Sequence, residues 1–264
     1  MNILDKIIER KKQEVAAAKQ AVPLDLLATY PLFNRPCYSL RDFVLAADKT
    51  GIIAEYKRAS PSKGIINDRS SVVDVVRGYA HAGVSAISVL TDGDFFKGTL
   101  ADLVQARNAV QVPLLRKDFM VDTYQIAEAK AHGADIILLI AAALTSAEVK
   151  QLAQYAKSLN LNVLLEVHNQ EELEANIIDE VDAIGVNNRN LKDFSVSIAH
   201  SLALVDLIPS RYIKVSESGI SDPQIIQQLK YAGFQAFLIG ENFMKTADPA
   251  VAIKQFVRTL KAGN

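Results

Sequence analysis

The sequence predicts an α/β chain folded as a single (β/α)8 barrel with an N-terminal helical extension, and three observations predict it. Eight short apolar runs alternate with segments of helical period from about residue 50 onward. The runs are apolar throughout, as in parallel strands buried on both faces, and do not alternate apolar with polar. Eight such units in a chain of 264 residues suit the TIM barrel, whose typical length is about 250 residues. A doubly wound open sheet is the alternative, weakened because no Gly-x-Gly-x-x-Gly follows the first run. No composition break falls within 50–264. Residues 1–49 are therefore read as a helical extension capping the barrel, and 50–264 as the barrel itself.

The elements follow in order. Leu4, Ile7, Ile8 and Val15 share one helical stripe, so residues 2–19 read as an amphipathic helix. Pro23, Pro31 and Pro36 then break the chain, and residues 39–47 read as a second short helix. This extension either seals one end of the barrel or forms a lid that also touches substrate. The strands are read at 51–56, 85–90, 113–117, 134–140, 161–166, 182–186, 212–216 and 235–239. Thr145 with Glu148 three residues on is a capping box opening the helix that ends near Leu159. Asp222-Pro223 and Asp248-Pro249 place proline at a first helical position. Gly83, Gly133 and Gly233 fall just past helical segments, where a residue tolerant of positive φ is needed.

Composition excludes several function classes. Hydrophobic residues make up 50 % and charged residues 22 %, which rules out bulk disorder. A net charge of −1 lacks the basic excess of a nucleic-acid binder. The charged N-terminus has no apolar segment of a signal peptide, and the longest apolar run, 136–144, is too short for a bilayer. The single cysteine, Cys37, forms no internal disulfide, which suits a cytoplasmic protein without membrane partners.

In such barrels the catalytic groups stand at the C-terminal ends of strands, and side chains alternate between interior and helix layer. Glu55 and Lys57 end strand one on the same face, and Lys117, Glu166, Asn187 and Glu217 end strands three, five, six and seven. Two residues before several of these stand Ile53, Leu115, Leu164 and Val215, suited to a packed interior. Charges are rarely buried unless paired or functional, so three carboxylates and two ammonium groups on one rim exceed what packing requires. Lys214, on the other parity, reads as structural. The loops Ser216-Glu-Ser-Gly-Ile220 and Gly240-Glu-Asn-Phe-Met244 follow strands seven and eight, the usual phosphate site of the fold. Glu241 is expected to turn its side chain away and offer only its N–H. His81, His132, His168 and His200 show no metal-ligand spacing, so no metal is expected; His168 lies near the rim, two residues past Glu166. Cys37 has no histidine partner in view, which speaks against nucleophilic cysteine chemistry.

Together these residues resemble the indole-3-glycerol-phosphate synthase family. The resemblance rests on Ala54-Glu-Tyr-Lys-Arg-Ala-Ser-Pro-Ser-Lys-Gly64 around strand one. Leu90-Thr91, Leu114-Leu-Arg-Lys-Asp-Phe119, Leu165-Glu-Val167, Gly185-Val-Asn-Asn-Arg-Asn-Leu191 and Ser216-Glu-Ser-Gly219 support it in order, and it covers essentially the whole chain. Asn188, where serine is more usual, and Glu241 depart from the pattern.

The resemblance implies ring closure, decarboxylation and dehydration of 1-(2-carboxyphenylamino)-1-deoxyribulose 5-phosphate. It implies Lys117 as the acid for the developing alkoxide, and Lys57 and Glu166 as proton donor and base in the dehydration. Glu55 and Glu217 would position lysines and sugar hydroxyls, with Asn187 assisting near the ring. Ser60 and Arg189 would bind the carboxylate or the phosphate. Phe95, Phe96 and Phe119 would wall the aromatic ring, and Ser218, Gly219, Gly240 and Glu241 would cradle the phosphate. No cofactor is needed. The expected partner is a phosphorylated small molecule, with no nucleic acid and no membrane, and the chain a monomer or weak homo-oligomer. A class I aldolase using Lys117 as Schiff base, a phosphoribosylanthranilate isomerase, which would need a strand-end cysteine, and a phosphate-ligand sensor are the competing readings.

Overall fold

A computed structural model of the chain describes residues 3–190 and 194–262. Asn2 and Leu191, part of the expected first helix and of the sixth-strand motif, lie outside the described residues. Eight parallel strands close into a barrel: β1 Ile52–Tyr56, β2 Ala86–Leu90, β3 Leu114–Lys117, β4 Ile136–Ile140, β5 Asn162–Val167, β6 Ala183–Asn187, β7 Ile213–Glu217 and β8 Ala236–Ile239. The ring closes where β1 pairs with β8, with Ile52, Ile53 and Ala54 opposite Phe237, Leu238 and Ile239.

Twelve α-helices accompany the strands among the described residues. Three precede the barrel: α1 Ile3–Ala21, α2 Leu24–Leu27 and α3 Leu40–Leu45. Then come α4 Val72–His81, α5 Leu100–Ala109, α6 Thr123–Ala131, α7 Ser146–Ser158, α8 Gln170–Ala175 and α9 Ala199–Leu204. The chain finishes with α10 Pro223–Ala232, α11 Glu241–Met244 and α12 Pro249–Ala262. Their ends carry the expected signals. The capping box of Thr145 and Glu148 opens α7, Asp222 caps α10 with Pro223 in its first turn, and Gly233 ends α10 at φ 111°. Gly83 and Gly133 likewise have positive φ.

The period of two along each strand separates two apolar layers. Ile53, Leu115, Leu138, Leu164, Val215 and Leu238 fill the barrel interior. Ile52, Ala54, Ile87, Val89, Leu165, Val186 and Ile239 face the helices. Each fully buried side chain of this size stabilises the fold by about 1.5–3 kcal/mol. Lys214 falls outside the interior, as its parity requires, and its ammonium donates to the Val205 carbonyl at 2.6 Å.

The extension reaches both ends of the barrel. Leu40 and Val44 of α3 join the interior layer against Ile53, Ala86, Ile136, Ala183, Ile213 and Ala236, residues at the N-terminal half of their strands. That helix is the floor. It is fixed by Asn162, whose side chain accepts from the Leu40 N–H at 3.2 Å and donates to the Tyr38 carbonyl at 2.9 Å. Helix α1 instead lies by the C-terminal ends of the strands. Its buried Lys11, 4 % exposed, pairs with Asp92 after β2 at 2.8 Å and Asp118 after β3 at 2.9 Å. Burial opposes the Lys11 charge, but Asp118 and Asp92 more than offset it and hold the pKa above its ordinary value. Asp118 is further held by Thr91 at 2.6 Å and Arg116 at 3.2 Å, so the residue after Lys117 has little freedom.

Candidate active site

The strand ends bring the polar set into one cavity of about 490 Å³. Glu55, Lys57, Lys117, Glu166, Asn187 and Glu217 all line it, together with Ser60, Phe96, Phe119, Arg189, Ser218, Gly219, Gly240 and Glu241. Alternation along each strand places these heads above the interior apolar layer. Lys117 Nζ stands 3.3 Å from Glu166 Oε2, while Asn187 Nδ2 donates to Glu166 Oε1 at 3.1 Å. Lys57 Nζ pairs with Glu55 Oε1 at 2.7 Å. Two glycines make room for the carboxylates: a Cβ at Gly185 would meet Glu217 Oε1, and one at Gly240 would meet Glu55 Oε1.

The charges are mutually tuned. Burial disfavours the Lys117 ammonium, but Glu166, Glu217 and Glu55 around it outweigh that and raise its pKa, so it stays charged. Burial likewise pushes the Glu166 carboxyl up, and Lys117, then His168 and the Asn187 hydrogen bond, bring it below its ordinary value. Glu217 goes the other way. Burial first, then repulsion from Glu166 and Glu55, pushes it up to about 8.

Above Glu217 the chain turns through two successive left-handed residues, Ser218 at φ 69° and Gly219 at φ 76°. Asn188 anchors this turn. Fully buried, it donates to the Ser218 carbonyl and to Ser216 Oγ, both at 3.0 Å, and its own oxygen accepts from Ser201. Opposite, Gly240 leads into the single turn of α11. Glu241 differs from expectation: its carboxylate does not turn away but stands 4.0 Å from both Lys63 and Arg189 at the cavity mouth. Those two cations come from the loops after β1 and β6, which proximity in sequence could not reveal.

Phe95 is the one expected site residue that does not line the cavity. Its N–H is tied to Asp92 Oδ1 at 2.8 Å, and the next residue, Phe96, takes the wall beside Phe119, with ring centroids 6.0 Å apart. Other lining residues escaped the sequence reading. Ile3, Leu4 and Ile7 of α1 form part of the cavity wall, as do Lys63, Asn242 and Lys245. The α1 stripe was legible as amphipathic, but not which end of the barrel it meets. Among the described residues no group of three or more His, Cys, Asp or Glu could hold a metal ion. Cys37 lies away from the cavity, 3.0 Å from Lys130 Nζ.

With this geometry in place, comparison with known proteins gives a consistent result. A family model described as indole-3-glycerol phosphate synthase matches residues 4–256. The indole-3-glycerol phosphate synthase of Bacteroides thetaiotaomicron is 45% identical over 260 residues, covering 98% of this chain and 99% of that one. That of Burkholderia vietnamiensis is 43% identical over 258 residues, covering 96% and 97%. The structure of 3-hexulose-6-phosphate synthase from Salmonella typhimurium superposes with a TM-score of 0.63 at 11% identity, over 81% of this chain and 99% of that chain. At that identity the likeness is one of fold alone.

Proposed function

The chain belongs to the indole-3-glycerol phosphate synthase family, and from that premise we propose how its side chains divide the reaction. The enzyme closes the pyrrole ring of 1-(2-carboxyphenylamino)-1-deoxyribulose 5-phosphate with loss of carbon dioxide and water, a step of tryptophan biosynthesis. The aromatic carbon attacks the ketone, and Lys117 protonates the oxygen as it becomes an alkoxide. Lys57 and Glu166 then serve the dehydration as proton donor and base. Glu55 and Glu217 position the lysines and the sugar hydroxyls, and Asn187 steadies Glu166. Phe96 and Phe119 wall the aromatic ring. Ser60 and Arg189 take up carboxylate or phosphate, and the backbone of Ser218, Gly219, Gly240 and Glu241 cradles the phosphate.

One observation carries this assignment: the charged Lys117 lies 3.3 Å from Glu166 at the foot of the cavity, ringed by carboxylates. The same ring disfavours the aldolase reading, because a Schiff base starts from a neutral amine. No strand ends in cysteine, as the isomerase reading would need. We further read the protein as cytoplasmic and free of metal or cofactor, a monomer or weak homo-oligomer, with 1–49 an extension on the 50–264 barrel. No helix among the described residues is long and apolar enough to cross a membrane.

The test begins with the carboxyphenylamino-deoxyribulose phosphate itself, whose turnover is followed by indole fluorescence. Inorganic phosphate should inhibit competitively. Gly219→Val should raise both KM and the phosphate inhibition constant about tenfold or more, because valine at φ 76° is strained and its Cβ meets Val196. Unchanged constants would place the phosphate elsewhere. Turnover should also persist after complete chelation by EDTA; a loss restored by a divalent ion would contradict the metal-free reading.

A further inference from the structure

The stoichiometry of the reaction sets a demand that the catalytic set does not meet alone. A carboxylate leaves as neutral carbon dioxide, so each turnover consumes one proton from solvent. Counted by step, protons go to the alkoxide and to the departing hydroxyl, and only one is recovered, from the ring methylene carbon beside the nitrogen, which keeps its own N–H in the indole. Glu166 is 4 % exposed and lines the cavity that the substrate would fill.

A second cavity of about 290 Å³ is lined by His168, Asn169, Glu172, Asn190 and His200, and shares Asn187 and Arg189 with the first. His168 sits between the two. Its Nε2 is 3.5 Å from Glu166 Oε1, is buried, and has no hydrogen-bond partner among the described residues. Its Nδ1 is 3.3 Å from Glu172 Oε2, which also accepts the His168 backbone N–H at 2.8 Å. Glu172 Oε1 accepts from Asn169 at 3.0 Å, so the carboxylate holding the ring is itself fixed. The charged or titratable groups facing this ring are Glu166, Glu172 and, further off, Glu217, with Arg189 and His200 across the second cavity. Burial lowers the imidazole pKa, but Glu172, Glu166 and Glu217 more than offset it and raise it.

We propose that His168, seated on Glu172, is a positioning and proton-relay residue that recharges the Glu166–Lys117 pair from the second cavity while substrate fills the first. The inference rests on the acid–base reading of Glu166 given above. The imidazolium Nε2–H bond breaks as an O–H bond forms on Glu166. The proton arrives on Glu166 Oε1, the oxygen facing His168. A half-turn of the carboxyl about Cγ–Cδ carries it to the side where the other oxygen stands 3.3 Å from Lys117. There the O–H bond breaks as an N–H bond re-forms on Lys117, which has given its own proton to the ketone oxygen. The neutral ring keeps its Nδ1–H on Glu172, swings toward the second cavity and takes a replacement proton at Nε2 from solvent.

His168→Gln keeps a planar hydrogen-bonding group but carries no proton. Its first turnover, run on charged Lys117, should proceed near the parent rate, whereas steady-state kcat should fall about tenfold or more. Added imidazole should restore the steady state of the variant and leave the parent unaffected. A steady-state rate equal to the parent, or a loss that imidazole does not relieve, overturns the relay. Glu172→Gln tests it with the ring intact: removing that charge lowers the His168 pKa, so the alkaline limb of kcat should move to lower pH. An unmoved limb overturns the proposal. Glu166→Gln separates the two readings. Parent-like kcat there refutes the role of Glu166 itself, whereas an impaired Glu166→Gln beside an imidazole-insensitive His168→Gln refutes the relay alone.

Discussion

Lys117→Met should lower kcat by about 10² to 10⁴-fold, the usual worth of a general acid, while KM stays nearly unchanged. Methionine fills much of the same volume, so the barrel interior beneath it, with Leu115 below and Leu138 and Leu164 beside it, keeps its packing. What goes is the only proton donor within reach of Glu166 from β3, 3.3 Å away, and with it the chief attraction that keeps that carboxylate ionised. Two signs follow. Ring closure itself slows, so carbon dioxide and indole fall together. The pKa of Glu166 rises once the cation is absent, so the base is lost at higher pH and the acid limb of the residual rate moves upward. A pH profile at saturating substrate checks both, and a parent-like kcat would remove Lys117 from the chemistry.

Glu166→Gln should fail later in the sequence of steps. The amide keeps the shape of the carboxyl and one acceptor oxygen, which can take the Lys117 ammonium while giving up the Asn187 bond, so the acid of the cyclisation stays in place. It cannot take the proton released as the ring aromatises, and dehydration should slow by about 10² to 10⁴-fold. In a single turnover carbon dioxide should then be released before the indole chromophore appears. If both signals rise together, the base has been misplaced. Because Lys117 and Glu166 touch, their losses should not add in the double variant.

The contrast between these residues and others shows what a single sequence can reveal. Strand parity was legible: Glu55 and Lys57 two apart, and apolar partners two before Lys117, Glu166 and Glu217, put these charged residues on one rim, where they line one cavity. Buried strands at 136–140 and 162–167 also differ from their expected ranges only at the ends, where the ladder begins a residue or two late or runs one residue longer. Lys11 was not legible. Among Glu9, Arg10 and Lys12 it reads as a solvated face, and its partners Asp92 and Asp118 are distant in sequence. Phe95 and Phe96 are indistinguishable by composition, and only the turn held by Asp92 decides which ring meets the cavity. His168 had a usable signal in Glu166-x-His168 followed by Glu172 four residues on, a spacing that puts one carboxylate on each ring nitrogen.

The seam between β1 and β8 has a consequence for how the molecule is born. Ile52 to Ala54 find their partners only at Phe237 to Ile239, so the first strand leaves the ribosome long before its neighbour on that side exists. Until then β1 has one open edge, and the two halves of the site that meet across the seam, Glu55 and Gly240, are apart. Contacts so distant in sequence close late and slowly. The nascent chain therefore carries an unpaired parallel edge through most of its synthesis, the kind of surface that invites association with another chain. Glu55 and Gly240 come together only once the last strand has paired with the first.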